Sequence, residues 1–300
     1  MDIAINLSAD GTIDATIDLA RELRARGFTR MWSSQILGPD TLTVLAIVGR
    51  EVRDVDFGTA VVPIQPRHPA MLAAQARTVQ EAMGGRLSLG IGLSHQVMVE
   101  GMWGISFERP ASYMEEYLHA LAPMIRGEAV TSKGERVSVV AASTVGPREV
   151  RTPDLLVAAL GPKMLELAGT QTNGTLLWMT GVKTVASHVA PTINEAAAAA
   201  GRPAPRIVAS LPVAVTNDVA GTREMVNKVL RIYGTLPSYR AMLDREGAAL
   251  PADVALIGSR EQVLDALHEL SEAGATEFSA AVTTLEPDRD ATLDALTSYS

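Results

Sequence analysis

The chain has 300 residues, 47% hydrophobic and 20% charged, a globular balance that excludes disorder and supports a sizeable core. Its net charge of −8 opposes attraction to nucleic acid or anionic lipid, and the absence of cysteine excludes disulfides, thiolate metal sites and cysteine nucleophiles. Residues 1–10 (MDIAINLSAD) lack the basic and apolar parts of a secretory signal, and no apolar run approaches the ~20 residues of a membrane helix, so a cytoplasmic protein is expected.

Short apolar runs alternate with longer amphipathic stretches along the whole chain. IAINL (3–7) reads as a strand, and 12–27 as a helix with Ile13, Ile17, Ala20 and Leu23 on one face and Gly27 as its stop. The pair recurs as strand 28–34 with helix 40–52, strand 56–64 with helix 69–85, and strand 86–92 with helix 109–127. Residues 128–143 break this pattern and predict a hairpin turning at Lys133-Gly134. Alternation resumes with strands at 154–160, 174–180 and 206–215, separated by helices at 162–171 and 183–200. The helical stretch 217–250 exceeds an ordinary crossover and reads as an insertion able to cover a site or a partner. A helix at 259–273, a strand at 276–282 and a terminal helix at 286–298 follow.

Eight strands, each followed by a helix, with no linker or composition break, predict a single (β/α)8 TIM barrel over residues 1–300 rather than a doubly wound sheet. Chemistry in such a barrel sits where strands end. Those ends are Ser8, Trp32–Gln35, Val61–Pro63, Gly92–His95, Leu160–Pro162, Thr180–Lys183 and the region after Val215. They are mostly small, apolar or neutral, with neither the facing carboxylates of a glycosidase nor a His-Glu-x-x-His metal motif, and the five histidines are scattered.

Gly90 and Gly92 open a dinucleotide fingerprint whose third glycine position holds His95 instead, and Ser94 lacks the second glycine of a nucleophile elbow. His95 is the titratable side chain at this rim, and an imidazole of ordinary pKa, about 6.5, suits proton exchange. MTGVKT (179–184) brings a hydroxyl, a glycine amide and a lysine to a helix start. Such groups hold a phosphate, and they equally make an ordinary capped turn. Gly161-Pro162 is a similar turn, and Trp178 faces into or out of the barrel by strand parity.

Five blocks carry a resemblance: GTAVVPIQPRHPAMLAAQARTVQEAMGGRLSLGIGLSH (58–95), EGMWG with ERPASYMEEYL (100–118), LLVAALGPKMLELAG (155–169), NGTLLWMTG (173–181) and IGSREQVLDALHELSEAGATEF (257–278). In this order they resemble the luciferase-like flavin and deazaflavin oxidoreductases, specifically the coenzyme F420-dependent branch, over essentially the whole chain. The resemblance implies a bacterial luciferase-like barrel with an insertion near strand 7, a homodimer, and a flavin or deazaflavin ring across the carboxyl ends of the strands. It implies a non-prolyl cis peptide within Ala60-Val61-Val62 behind the ring, and a ring edge bordered by Gly92, Leu93, Ser94 and His95. Thr180, Gly181 and Lys183 would take the cofactor phosphate, with Gly161 and Pro162 as a neighbouring wall, and Trp178 is a cofactor-binding candidate if it faces inward and a core residue if it does not. On this view the glycines of strand 4 make room for the ring.

Related sugar-phosphate dehydrogenases end strand 2 in an acid–histidine pair and carry a glutamate in the fourth loop. Ser34, Gln35 and His95 stand there in this chain, which argues against sugar phosphate oxidation and leaves His95 and Gln35 as the catalytic candidates. The expected activity is F420-dependent hydride transfer between the deazaflavin (8-hydroxy-5-deazaflavin) and a small organic substrate, an activated C=C or C=N bond given the apolar strand ends, without a metal. An FMN-dependent monooxygenase using molecular oxygen is the alternative on the same ring site, and a non-catalytic cofactor-binding protein is a third reading.

Overall fold

Caps and breakers set the element ends. In the computed structural model, which describes all residues except 10, 36, 142–149, 286 and 300, Thr12 accepts from Ala15 N at the start of helix Ile13–Ala25. Asp40 likewise starts Thr41–Glu51, and Ser259 with Gln262 forms a capping box on Arg260–Glu272. Each such cap is worth ~1 kcal/mol. Helix Pro110–Arg126 stops at Gly127, whose φ of 84° a side chain would resist.

Eight parallel strands close on themselves: β1 (Asp2–Asn6), β2 (Arg30–Ser33), β3 (Asp56–Thr59), β4 (Leu87–Gly92), β5 (Asp154–Ala158), β6 (Gly174–Trp178), β7 (Arg206–Val215) and β8 (Glu277–Val282). Neighbours in sequence are neighbours in the sheet, and β8 pairs with β1 to complete the ring. The alternation therefore did predict the architecture. The hairpin is present as Val130–Lys133 and Ser138–Ala141, while residues 142 and 143 of the expected span, and residue 286 of the expected last helix, lie outside the described residues. The insertion consists of helix Val219–Val229, a tight turn at Arg231–Gly234, helix Pro237–Glu246 and a second turn at Pro251–Asp253. Two elements were not anticipated: helix Gln96–Gly101 after β4, and the short strand Leu256–Gly258, which pairs with the end of β7.

Strand side chains alternate between the helices and the barrel interior. The outward set, including Ile5, Met31, Phe57, Leu177 and Phe278, is buried with helix residues such as Leu23, Leu45, Leu72 and Leu267. Burial of each large apolar side chain contributes roughly 1.5–3 kcal/mol.

The inward set forms three layers. At the amino-terminal end it is charged: Glu277 accepts from Arg30 and Arg206, each at 2.9 Å, and from Trp32 Nε1 at 2.5 Å, while Asp2 shares the same Arg30 nitrogen and Asp154 holds the other nitrogen of Arg206. The middle layer is Ala4, Trp32, Leu156, Leu176 and Val208. Gly58 and Gly90 complete it because a Cβ on Gly58 would lie 2.2 Å from the Trp32 ring, and one on Gly90 1.9 Å from Thr59 O and 2.4 Å from Leu176 Cδ1. That corrects the assignment of Gly90 to the close approach of a ring, since the protein's own atoms fill the space. The top layer, at the carboxyl ends, is Asn6, Ala60, Gly92, Ala158, Trp178 and Ser210, all but Gly92 only half buried. Inward-facing residues remain accessible only if the barrel is open above them, so this end is a concave mouth. Among the described residues no helix is long and apolar enough to cross a membrane.

Candidate active site

One wall of the mouth is a bulge in the third strand. Phe57 pairs with Leu87 and Gly58 with Ser88, but past the bulge Val62 pairs with Ile91 and Pro63 with Gly92, a slip of one residue. Thr59 Oγ1 bridges the interrupted ladder, donating to Gly90 O at 2.7 Å and accepting from Gly90 N at 2.9 Å. The Ala60–Val61 peptide is cis, inside the three residues that the resemblance marks. Ser34 Oγ donates to Ala60 O at 2.8 Å and fixes the end of β2 against the bulge.

The loop after β4 forms the next part of the rim. Ser94 adopts φ 55°, a left-handed conformation that residues with side chains rarely take. Gln65 Nε2 donates to Leu93 O, and Gln65 Oε1 is buried with no hydrogen-bond partner among the described residues. His95 precedes helix Gln96–Gly101 and lays its ring against Tyr239, centroid to centroid 5.5 Å. Burial pushes the imidazole pKa below its ordinary value, which keeps His95 neutral at pH 7.

Beyond β5, Gly161 caps helix Pro162–Gln171, and His188 Nε2 lies 2.8 Å from Leu160 O. His188 belongs to a wider helical turn, Val185–Val189, that interrupts the continuous helix from Val182 to Ala199. This contact ties the Gly161-Pro162 turn to the helix that starts after β6. Wider turns of this kind cluster at functional sites.

After β6 the chain turns sharply at Met179, with φ 55°. Thr180 is buried, and its hydroxyl donates to Trp178 O at 3.2 Å. The donors that follow are taken by a carboxylate from the insertion. Glu246 Oε1 accepts from Lys183 N at 3.1 Å, and Oε2 accepts from Thr184 N at 2.9 Å and Thr184 Oγ1 at 2.8 Å. A Cβ on Gly181 would lie 2.5 Å from Glu246 Cδ. An anion thus already sits at the positive end of this helix. The mouth, open and lined by small side chains apart from Trp178, leaves room for a flat ring; the turn, filled in this way, does not fit the phosphate that the resemblance places on Thr180, Gly181 and Lys183.

The structure brings Ala60, Val61, Gly92 and Trp178 together around the mouth, with Leu93, Ser94 and His95 on the rim. It corrects the role given to Gln35. The Gln35 amide is spent inside its own loop, donating to Pro39 O at 3.1 Å and accepting from Thr41 N at 2.7 Å, so it serves the start of the next helix rather than proton transfer. The insertion supplies three residues that the strand-end argument missed: Glu246, Tyr233 and Tyr239. Tyr233 meets the Trp178 ring edge-on at 5.7 Å and the Tyr239 ring at 5.0 Å. One signal was available, for two of only five tyrosines lie within seven residues of each other in that segment.

A cavity of about 560 Å³ opens beside the mouth between the ends of β8, β1 and β2, lined by Asn6, Ser8, Trp32, Ser34, Thr283 and Arg289 among other residues. Its volume suits a small organic molecule. Among the described residues no three His, Asp or Glu side chains are grouped to hold a metal ion.

Comparison with known proteins adds relatives to this geometry. The 5,10-methylenetetrahydromethanopterin reductase of Methanolobus tindarius is 29% identical over 159 residues, covering 53% of this chain and 48% of that protein. A putative coenzyme F420-dependent oxidoreductase of Mycobacterium tuberculosis is 30% identical over 162 residues, covering 50% and 47%. The matched part thus spans about half the length of these relatives. Two solved structures share the fold throughout. The coenzyme F420-dependent tetrahydromethanopterin reductase from Methanopyrus kandleri superposes with a TM-score of 0.83 at 20% identity, covering 99% of this chain and 97% of that one. An F420-dependent secondary alcohol dehydrogenase in complex with an F420-acetone adduct gives 0.82 at 16%, covering 100% and 98%. The model of the luciferase-like monooxygenase family matches residues 2–277, and with the closed barrel and its open carboxyl-terminal mouth this shows that the chain belongs to that family.

Proposed function

We propose that the chain is an F420-dependent oxidoreductase that moves a hydride between the deazaflavin and a small uncharged organic substrate carrying an activated C=C or C=N bond. The observation that carries this reading is the polarity of the barrel interior. Charged side chains are confined to the closed end around Glu277, while Asn6, Ala60, Gly92, Ala158 and Ser210 at the mouth are small and uncharged. A bound deazaflavin would supply the hydride-carrying carbon. The chain's own part is to leave room for a flat ring among uncharged inward-facing residues, with Arg289 the charged side chain named at the neighbouring cavity. Trp178, Tyr233 and Tyr239 form a half-buried aromatic cluster on one side of the mouth. His95, neutral and beside Tyr239, is the rim group able to take up a proton. The relative from Mycobacterium tuberculosis named as a putative coenzyme F420-dependent oxidoreductase supports the choice of cofactor.

Parallel titrations with oxidised F420 and with FMN, followed by cofactor fluorescence, test the reading. Saturable micromolar binding of F420, tighter than that of FMN, is expected. Clear FMN binding without F420 binding would overturn it in favour of the oxygen-using reaction.

A further inference from the structure

We infer that Asn6 receives the substrate's polar group, and that the substrate is a neutral α,β-unsaturated carbonyl compound whose oxygen accepts a hydrogen bond from Asn6 Nδ2. The inference deepens the proposed function and rests on it for the hydride step alone.

The orientation of the Asn6 amide follows from its neighbours. Ser210 Oγ donates to Ser279 O at 2.7 Å, so toward the Asn6 amide, 3.5 Å away, that hydroxyl can only accept. The Asn6 atom facing it is therefore Nδ2, and Oδ1 is turned to Ser279, whose hydroxyl donates to it. Ser279 is buried on β8 and Ser210 stands on β7, so two strands hold the amide of a third, β1, in one direction. The amide nitrogen carries two hydrogens. Ser210 is a long contact for one, and among the described residues no acceptor meets the other. Asn6 is half buried and lines the cavity of about 560 Å³ beside the mouth, which leaves this donor to a ligand there.

The rest of the cavity sets the character of that ligand. Leu7, Leu19, Val282 and Leu293 give it apolar walls. Ser34 and Thr283 spend their hydroxyls on Ala60 O and Ala281 O, at 2.8 and 2.9 Å. Arg289 is paired with Glu22 at 2.8 Å, so the cavity needs no anion to balance it. A mainly hydrocarbon molecule with one acceptor matches these groups.

An amide also separates the two kinds of activated double bond. It donates a hydrogen bond without giving up its proton, so it steadies negative charge on an oxygen but does not protonate a nitrogen. Hydride addition to a neutral C=N bond would leave a strongly basic nitrogen anion beside Asn6. With an α,β-unsaturated carbonyl, the hydride that a reduced deazaflavin would supply joins the β carbon, the C=C electron pair shifts to form an enolate, and the charge settles on the oxygen that Asn6 holds. A proton from water then joins the α carbon and gives the saturated carbonyl product.

The test uses the whole protein, with the conjugated ketone cyclohexenone as ligand, cyclohexene as its carbonyl-free counterpart, and Asn6→Ala and Asn6→Asp as variants. Without cofactor, cyclohexenone and not cyclohexene is expected to move the Asn6 side-chain amide resonances, which are identified by their absence in both variants. With F420, both variants should hold the cofactor about as tightly as the wild type, while reduction of cyclohexenone by reduced F420 slows about a hundredfold, the scale of a lost oxyanion donor. Asn6→Asp keeps the size of the side chain and an acceptor for Ser279, so its loss reports the donor rather than packing. Resonances that ignore cyclohexenone, or variants that reduce it at the wild-type rate, would overturn the inference. If no form binds F420 while the Asn6 resonances respond to cyclohexenone, the cofactor reading fails and the role of Asn6 stands; if F420 binds and the resonances do not respond, the cofactor reading stands and the role of Asn6 fails.

Discussion

Arg206 on β7 and Glu277 on β8 meet inside the closed end of the barrel at 2.9 Å, and the Glu277 side chain is only 2% exposed. Arg206 also places its guanidinium 5.7 Å from the centre of the Trp32 ring, whose indole N–H donates to the same carboxylate. One buried acid thus organises three strands at the end opposite the mouth. Charge gathered there leaves the inward-facing residues of the mouth uncharged, so one barrel carries an ionic clasp at one end and a neutral opening at the other.

Removing the acid leaves two arginines facing an empty space. Glu277→Ala is expected to cost about 3–5 kcal/mol, as for other half-broken buried pairs, seen as a lower midpoint in urea unfolding. Glu277→Gln keeps an acceptor for Trp32 and should lose less. A midpoint unchanged in Glu277→Ala would show that the clasp adds nothing to stability.

Three glycines separate packing from openness. Gly58→Ala drives a methyl into the Trp32 ring, and Gly90→Ala drives one into the main chain of the bulge. Each should destabilise by at least the ~1–3 kcal/mol typical of overpacking, the second more because a carbonyl cannot rotate away. Gly161→Ala meets nothing within 4 Å and has no positive φ, so its unfolding midpoint should stay within experimental error of the wild type.

His95 gives a pH signature whose direction follows from burial. Its folded pKa lies below the ordinary 6.5, so as pH falls the unfolded chain takes up this proton first. Its contribution to stability is therefore undiminished above about pH 6.5 and declines below that value until the folded form also protonates. An NMR titration should place the His95 imidazole below 6.5, and Tyr239→Ala, which uncovers the ring, should raise it. A pKa at or above the ordinary value in the wild type would contradict the geometry.

The barrel was legible because its signals are local: short apolar runs alternate with amphipathic stretches along the whole chain, marked at several helix ends by glycine stops and by hydroxyl or acidic caps such as Thr12, Asp40 and Ser259, and β7 has the same bounds in the sequence reading and in the structure. The single run 56–64 concealed a break, since an extra residue in one strand is defined only against its partner. Gly90 suggested a ligand because a sequence does not show that Leu176, 86 positions away, takes the space. Glu246 stayed hidden for a similar reason. Its partners Lys183 and Thr184 lie more than 60 residues upstream, and no periodicity links a helix end in an insertion to a turn on another strand.

Gln35 illustrates how a polar residue beside a mouth can serve the scaffold. Its side chain joins Pro39 O to Thr41 N, and Asp40 between them caps the same helix while holding Arg67 at 2.7 Å and Gln75 at 3.0 Å. Gln35→Ala breaks two hydrogen bonds, each worth ~1 kcal/mol net, and leaves the Thr41 amide unpaired. The expected result is a loss of about 1–2 kcal/mol in urea unfolding, with F420 affinity within twofold of the wild type. Leu37, in the same loop, is exposed and makes a suitable control, since Leu37→Ala should leave stability unchanged. Unaltered stability with weakened F420 binding in Gln35→Ala would return this residue to the ligand site and reverse the assignment made from its hydrogen bonds.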